Sequence, residues 1–178
     1  MTSATEQILI RPVSTSEMDQ VIAIDDDACA LFEQAGLRFD IGPTHPFARS
    51  EWARWTQAAT EGNAFFAEWP GVGAVGMLVM GRIDGAPYLD QLSVRTKAMR
   101  RGIGRRLVSH AIEWAEGQEL WLTTYAHLPW NKPFYEQAQF SVVPEPACPA
   151  GIVATLVEQR RWLPAPGERI AMRRPGVA

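Results

Sequence analysis

Long apolar runs are missing from this chain: nowhere do about 18 apolar residues follow one another, as a membrane-crossing helix requires. The opening MTSATEQ has neither the basic start nor the apolar run of a secretory signal. A cytoplasmic protein with no membrane partner is expected. Cysteine is scarce, and the two that occur, Cys29 and Cys148, stand far apart. That excludes a disulfide scaffold and a CxxC redox or metal motif, and leaves two reduced structural thiols with no metal site expected. Charge of one sign is lacking too, since 17 lysines and arginines face 20 acids for a net charge of −3. Such a balance gives no global field to hold nucleic acid, so no nucleic-acid partner is expected and any phosphate site must be local. Internal repeats, low-complexity tracts and linkers are absent, and proline and glycine occur as single punctuation marks.

What is present is an ordinary globular composition, 47% hydrophobic and 21% charged, in 178 residues. One domain over residues 1–178 is expected. Ile8–Val13 alternates apolar and polar residues as a strand does, and Ser14–Glu17 offers a capping box for a following helix. That helix is expected to turn Val21, Ile22, Ala28, Leu31 and Phe32 inward and to stop near Gly36, before a loop over Leu37–Phe47. Ala48–Thr60 sets Trp52, Trp55 and Ala59 at helical spacing, more a buried stripe than an aromatic cage. Ala64–Trp69, Ala74–Arg82 and Pro87–Val94 form three strands of a meander, divided by turn signals at 70–73 and 84–87.

Ile103, Leu107, Ala111 and Trp114 mark the clearest helix of the chain. A strand at Leu120–Tyr125, a short helix entered through Pro133, a strand at Phe140–Val143, a helix at Gly151–Trp162 and a last strand at Arg169–Arg173 complete the order. The fold class is mixed α/β, with about seven mostly antiparallel strands and helices on both faces.

The segment richest in chemistry runs from the strand Leu89–Val94 through a basic turn into that clear helix. Gly102 and Gly104 let the backbone bend without a Cβ, so the unpaired N–H groups of the first helical turn can converge on an anion. Arg95, Lys97, Arg100, Arg101, Arg105 and Arg106 surround that point, and a pyrophosphate is the natural guest. A dinucleotide fingerprint fails because Leu107 occupies its third glycine, and a P-loop fails because GKS or GKT is absent. Taken alone, the turn is equally consistent with a solvated helix start.

With its preceding strand, the segment resembles motif A of the GNAT (general N-acetyltransferase) superfamily, QxxGxG or RxxGxG, with Met99 where the family has Gln or Arg. Downstream, residues 123–140 resemble the TxxxxxPWNxPFYxxxGF segment of bacterial GNAT proteins through Trp130, Asn131, Pro133, Phe134 and Tyr135. Gln139 replaces that segment's glycine, so a left-handed helix end there would cost about 1 kcal/mol. The resemblance implies an acetyl-CoA site in a V-shaped opening between two parallel strands, those at Leu89–Val94 and Leu120–Tyr125. The backbone of Leu92, Ser93 and Val94 would pair with the pantetheine arm, and the N–H groups of Arg100, Arg101, Gly102, Ile103, Gly104 and Arg105 would hold the pyrophosphate.

An N-acetyltransferase needs a neutral nucleophile, and an amine of pKa about 10.4 is only about one part in a thousand neutral at pH 7. Asp90 is the first candidate to take its proton, although it is equally a solvent-facing strand residue. His127 is the second, with a local backbone role the stronger alternative. From the resemblance, the Val94 N–H would receive the thioester oxyanion and Tyr135 would protonate the departing thiolate. Asn131 could contact the cofactor or cap its helix.

A catalytically silent acyl-CoA-binding module is the main alternative to an enzyme, and a basic nucleic-acid-binding segment the weaker one. The acceptor is a small-molecule or peptide amine that no motif names, and a homodimer is left open. Asp25, Asp26, Asp27, Glu33 and Asp40 near the expected acceptor loop favour a cationic amine, unless they are a solvated helix face.

Overall fold

A computed structural model describes residues 8–177. The elements follow one another as β1 (Leu9–Pro12), α1 (Met18–Gln34), α2 (Pro46–Thr60), β2 (Ala64–Trp69), β3 (Gly73–Ile83), β4 (Ala86–Val94), α3 (Ile103–Trp114), β5 (Leu120–Tyr125), α4 (Lys132–Glu136), β6 (Ser141–Val143), α5 (Ala150–Trp162) and β7 (Arg169–Arg174). The strands form one open seven-stranded sheet in the order β1-β2-β3-β4-β5-β7-β6. Pairing is antiparallel at β1/β2, β2/β3, β5/β7 and β6/β7 and parallel at β4/β5, as the α3 crossover requires. By internal contact the chain divides into two compact units. One holds the residues up to Met80 with Gln91–Ala111, and the other holds Gly81–Asp90 with the chain from Ile112 on.

In the first unit, the expected capping box forms between β1 and α1. The Ser14 side chain accepts from the Ser16 N–H, and the Ser14 N–H donates to Glu17 Oε2 at 3.0 Å. Glu17 is drawn further into place by Arg11, 2.8 Å away, which also reaches Glu68 at 2.7 Å. The Arg11 hydrogen bond first, and the Ser14 N–H second, hold the Glu17 carboxyl down at about 2. Along α1 the buried stripe is Val21, Ile24 and Ala28, while Ile22, Leu31 and Phe32 are only half-buried. The spacing of three and four residues from Val21 selects Ile24 over Ile22 as the core residue.

Helix α2 starts two residues before the expected Ala48, because Pro46 takes the first helical position and His45 Nδ1 accepts the Phe47 N–H at 3.1 Å. Its Trp55 is buried with Val21, Ile24, Phe66 and Met77 in one core cluster. A Cβ at Gly76, by contrast, would meet Ile103 and Leu107 of α3. Successive strand residues point to opposite faces, so α1 and α2 cover one face of β3 and α3 covers the other.

In the second unit, Tyr88, Trp121, Ile152, Leu156 and Ala171 form the core between the strands and α5. Strand β5 pairs along its whole length with β7, from Leu120↔Arg174 to Tyr125↔Arg169. Helix α4 ends as its sequence implied: Gln139 adopts a φ of 67°. The Phe140 N–H then reaches the Tyr135 carbonyl at 3.2 Å, and the Gln139 N–H reaches that of Glu136 at 3.0 Å. With Phe140 packed edge-on to Tyr135 at 5.7 Å, this is a Schellman end built without its usual glycine. Gln139→Gly should therefore raise the unfolding free energy by about 1 kcal/mol in urea titrations, with an unchanged slope.

Candidate functional site

The end of β4 is tied down before the chain turns into α3. The Arg95 N–H donates to the Val75 carbonyl at 2.8 Å and its Nε to the Ala74 carbonyl at 3.2 Å. Asp27 Oδ2 accepts both the Thr96 N–H, at 2.6 Å, and the Thr96 hydroxyl, at 3.1 Å. A single 3₁₀ turn, Thr96–Ala98, follows. Arg100 and Gly102 then take positive φ values of 61° and 76°, which turn the chain into α3. Gly102 does this at no steric cost, whereas Arg100 carries a Cβ in the left-handed region.

The Arg106 N–H finds the Gly102 carbonyl at 3.1 Å. Those of Ile103, Gly104 and Arg105 precede it and have no intrahelical carbonyl within reach. They carry the positive end of the α3 dipole. Arg100, Arg101 and Arg105 are exposed around them, and Arg101 lies over the Trp69 ring, 4.8 Å from its centroid. Gly76 makes the close seat of α3 available: a Cβ there would stand 3.2 Å from each of Ile103 Cγ2, Leu107 Cδ1 and the Ser93 carbonyl oxygen. Leu92, Ser93, Val94, Arg100, Arg101, Gly102, Ile103, Gly104 and Arg105 thus belong to one strand-turn-helix in the first unit. Arg95, expected among the phosphate-facing cations, is instead bonded into the strand neighbourhood.

Behind the strand end lies a polar contact that the sequence did not announce. Asp25 Oδ1 accepts from the buried Ser93 hydroxyl at 2.6 Å and from Gln91 Nε2 at 2.6 Å. Burial pushes the Asp25 carboxyl above its ordinary range, partly opposed by these two donors and reinforced by Asp26. The acidic run therefore resolves into separate roles: Asp25 and Asp27 bond the end of β4 and its turn, and Asp26 is exposed. Asp25 follows the buried Val21 by four residues and Asp27 follows Ile24 by three, which is the pattern that could have shown them on the packed side.

Asp90, Asn131 and Tyr135 belong to the second unit. Asp90 is half-buried on β4. Tyr135 is buried on α4 between Phe134 and Phe140. Burial first, and Tyr88 second, raise its phenol above the ordinary value against the influence of Arg169. Asn131 occupies the cap position of α4 but makes no side-chain cap bond, which corrects half of the sequence expectation. Its ψ of −92° is far from the extended value that folds a capping side chain over the first turn, and only its carbonyl serves the helix, accepting the Tyr135 N–H at 3.0 Å.

His127 lies 3.5 Å from the Glu168 carboxylate and edge-on to Tyr125. Sequence reasoning also missed Arg169. This buried guanidinium donates to Gln159 at 2.7 Å and Thr123 at 3.2 Å and lies over the Tyr125 ring. Nothing in its local sequence separates it from the exposed arginines nearby.

Among the described residues no helix is long and apolar enough to cross a membrane. The class of protein is fixed by comparison with known families: the model of the acetyltransferase (GNAT) family matches residues 22–140, more than half of the chain. The chain belongs to that family, whose class of reaction is acetyl transfer. Solved structures share the fold at low identity. PaiA N-acetyltransferase of Thermoplasma acidophilum, in complex with coenzyme A, is 14% identical with a TM-score of 0.65, the match covering 94% of this chain and 98% of that one. An acetyltransferase of the GNAT family from Staphylococcus aureus is 15% identical with a TM-score of 0.66, over 94% and 98%. N-acetylglutamate synthase of Neisseria gonorrhoeae, complexed with coenzyme A and N-acetyl-glutamate, is 15% identical with a TM-score of 0.66. That match covers 96% of this chain, which spans only 35% of the synthase.

Asp27→Ala, which frees the Thr96 N–H and hydroxyl, should lower the unfolding free energy by about 1–2 kcal/mol, while Asp26→Ala should stay within about 0.5 kcal/mol. Chemical denaturation of the two variants side by side measures the contrast.

Proposed function

We propose that this protein is an acetyl-CoA-dependent N-acetyltransferase acting on a primary amine of a small molecule or peptide. The observation that carries the reading is the basic glycine turn that opens α3 at the end of β4, in a chain of the GNAT family. The family match reaches into both compact units, which supports residues 1–178 as one acetyltransferase domain. Acetyl-CoA is the cofactor, in line with neighbours of this fold that were crystallised with coenzyme A. Its pyrophosphate takes the N–H groups of Arg100 to Arg105, and its pantetheine arm pairs with Leu92, Ser93 and Val94, with Asn131 as a further contact.

Transfer begins with loss of a proton from the ammonium form of the acceptor, for which Asp90 is the carboxylate that the strand pattern offers. Amine attack on the thioester carbonyl puts charge on its oxygen, which the Val94 N–H receives. Tyr135 protonates the departing thiolate. Its raised phenol pKa keeps that proton in place throughout the neutral range, so the donor form is fully populated. A homodimer has no part in this scheme.

Acetyl-CoA at millimolar concentration should give binding heat and raise the melting temperature. Gly104→Val should weaken that affinity at least tenfold, since a β-branched side chain blocks backbone approach to phosphate. No heat and no melting shift would remove the cofactor reading. A thiol-release assay with spermidine, tyramine, glutamine and an alanine-initiated peptide then tests the reaction. Binding without transfer to any amine leaves the silent acyl-CoA-binding module, and transfer to alcohols alone overturns the acceptor class.

Tyr135→Phe keeps the ring packing and removes one transferable proton, so kcat should fall by about 10²-fold at unchanged acetyl-CoA affinity. A thiol of pKa near 8.5 leaves unaided more readily as pH rises, so the loss should shrink between pH 6 and 9. An unchanged kcat throughout would leave Tyr135 a packing residue.

A further inference from the structure

Among the described residues, no cation is bonded to the Asp25 carboxyl. Its described partners are two neutral donors, Ser93 Oγ and Gln91 Nε2, and both fall on Oδ1. Oδ2 accepts nothing from a described residue, yet it is not among the closed-off polar atoms of the interior. Asp25 thus has one oxygen held by two donors and one without a described donor. The fixed oxygen bonds Ser93, whose neighbour in the chain is Val94, the residue assigned to the oxyanion. Asp90 lies four residues further back along the chain.

We propose that Asp25 is the proton acceptor for the incoming amine, with Gln91 and Ser93 as the positioning residues that aim its free oxygen. This rests on the acetyltransferase reading and replaces Asp90 in the first step. The ammonium nitrogen gives one proton to Asp25 Oδ2, directly or through one water. The freed lone pair forms the nitrogen–carbon bond, and the carbon–sulfur bond breaks with its electron pair on sulfur. Tyr135 gives its phenol proton to that sulfur, the second nitrogen proton restores the phenol, and Asp25 then returns its own proton to solvent. The sum is ammonium plus thioester giving amide, thiol and one proton.

Burial raises the carboxyl pKa, and a raised carboxyl is, once ionised, a stronger base than an ordinary aspartate. Of the ionisable groups on its helix, Asp26 acts on it and it acts on the Cys29 thiol, which Glu33 and, from α2, Glu51 also affect, while the Arg95 guanidinium reaches the Ala23 carbonyl at 3.5 Å. A carboxyl raised on folding contributes stability below its unfolded value, and that contribution is lost as pH rises through the folded value. The ionised group is therefore a burden on the fold at neutral pH.

The test compares Asp25→Asn and Asp90→Asn, using whichever of spermidine, tyramine, glutamine or the alanine-initiated peptide the unmodified enzyme acetylates fastest. Asp25→Asn should lower kcat about 10²-fold or more at pH 7, with acetyl-CoA affinity kept and the melting temperature unchanged or higher. The loss should narrow as pH climbs towards the pKa of the amine, which then deprotonates itself. Gln91→Met, which removes one donor from Oδ1, should move the acid limb of the pH–rate profile to higher pH.

A full kcat in Asp25→Asn, a loss independent of pH, or a loss found in Asp90→Asn instead would overturn the assignment while leaving the acetyltransferase reading intact. An unmodified enzyme that binds acetyl-CoA but acetylates none of the four amines would sink both.

Discussion

The first turn of α3 holds N–H groups that no carbonyl of the helix can reach, and contacts on either side fix the backbone that presents them. Gly76 lets the helix settle against β3 and β4 with its start beside the Ser93 carbonyl. Asp27 and Thr96 fix the preceding turn, and Arg95 is bonded back to β3. Each of these contacts restrains the backbone that leads into the first turn of α3. A helix start so restrained offers an anion donors that need no reorganisation, which is where most of the advantage of a built site lies over a flexible cationic patch.

The acids of α1 show how one short run can serve unlike ends. Asp25, Asp26 and Asp27 are adjacent in sequence, but a helix turns about 100° per residue, so neighbours meet different surroundings. Asp27 meets two donors on the turn and becomes a cap. Asp26 meets solvent. Asp25 meets the strand and is raised by burial, a cost that two hydrogen bonds only partly offset. A residue without an ionisable group at that position would escape this cost.

Much of this architecture was legible beforehand, and the successes share a cause. Ala64–Trp69 and Leu120–Tyr125 are strands with the bounds that their β-branched and aromatic runs and flanking turns implied. The capping box at Ser14 was also readable, since it follows from bonds within a few residues, whereas the left-handed end at Gln139 was suggested only by the glycine of the segment it resembles. What could not be read depends on partners distant in sequence. The bond from Asp25 to Ser93 spans 68 residues, and that from Asp27 to Thr96 spans 69. Arg169 is buried by contacts with β5 and α5, and no local pattern distinguishes it from Arg173 or Arg174, which are less enclosed. Asn131 failed for a different reason: its residue type suits a cap, but the backbone enters α4 at an angle that denies the side chain its bond.

Two side chains carry a left-handed backbone at functionally unlike places, and the contrast separates strain that is tolerated from strain that is held. At Gln139 the segment only has to end a helix, the Phe140 contact with Tyr135 supports it, and a glycine would do the same task better. At Arg100, φ is 61° inside the turn that delivers α3, immediately after a segment anchored by Asp27. Strain there is enforced from both sides, by the bonded turn before it and by the packed helix after it. A glycine at 100 would relax the turn but would also widen the choices of the unfolded and loosened chain, and it would remove a cation from beside the orphan N–H groups. The arginine therefore trades roughly 1 kcal/mol of backbone comfort for charge and rigidity at the turn that opens α3.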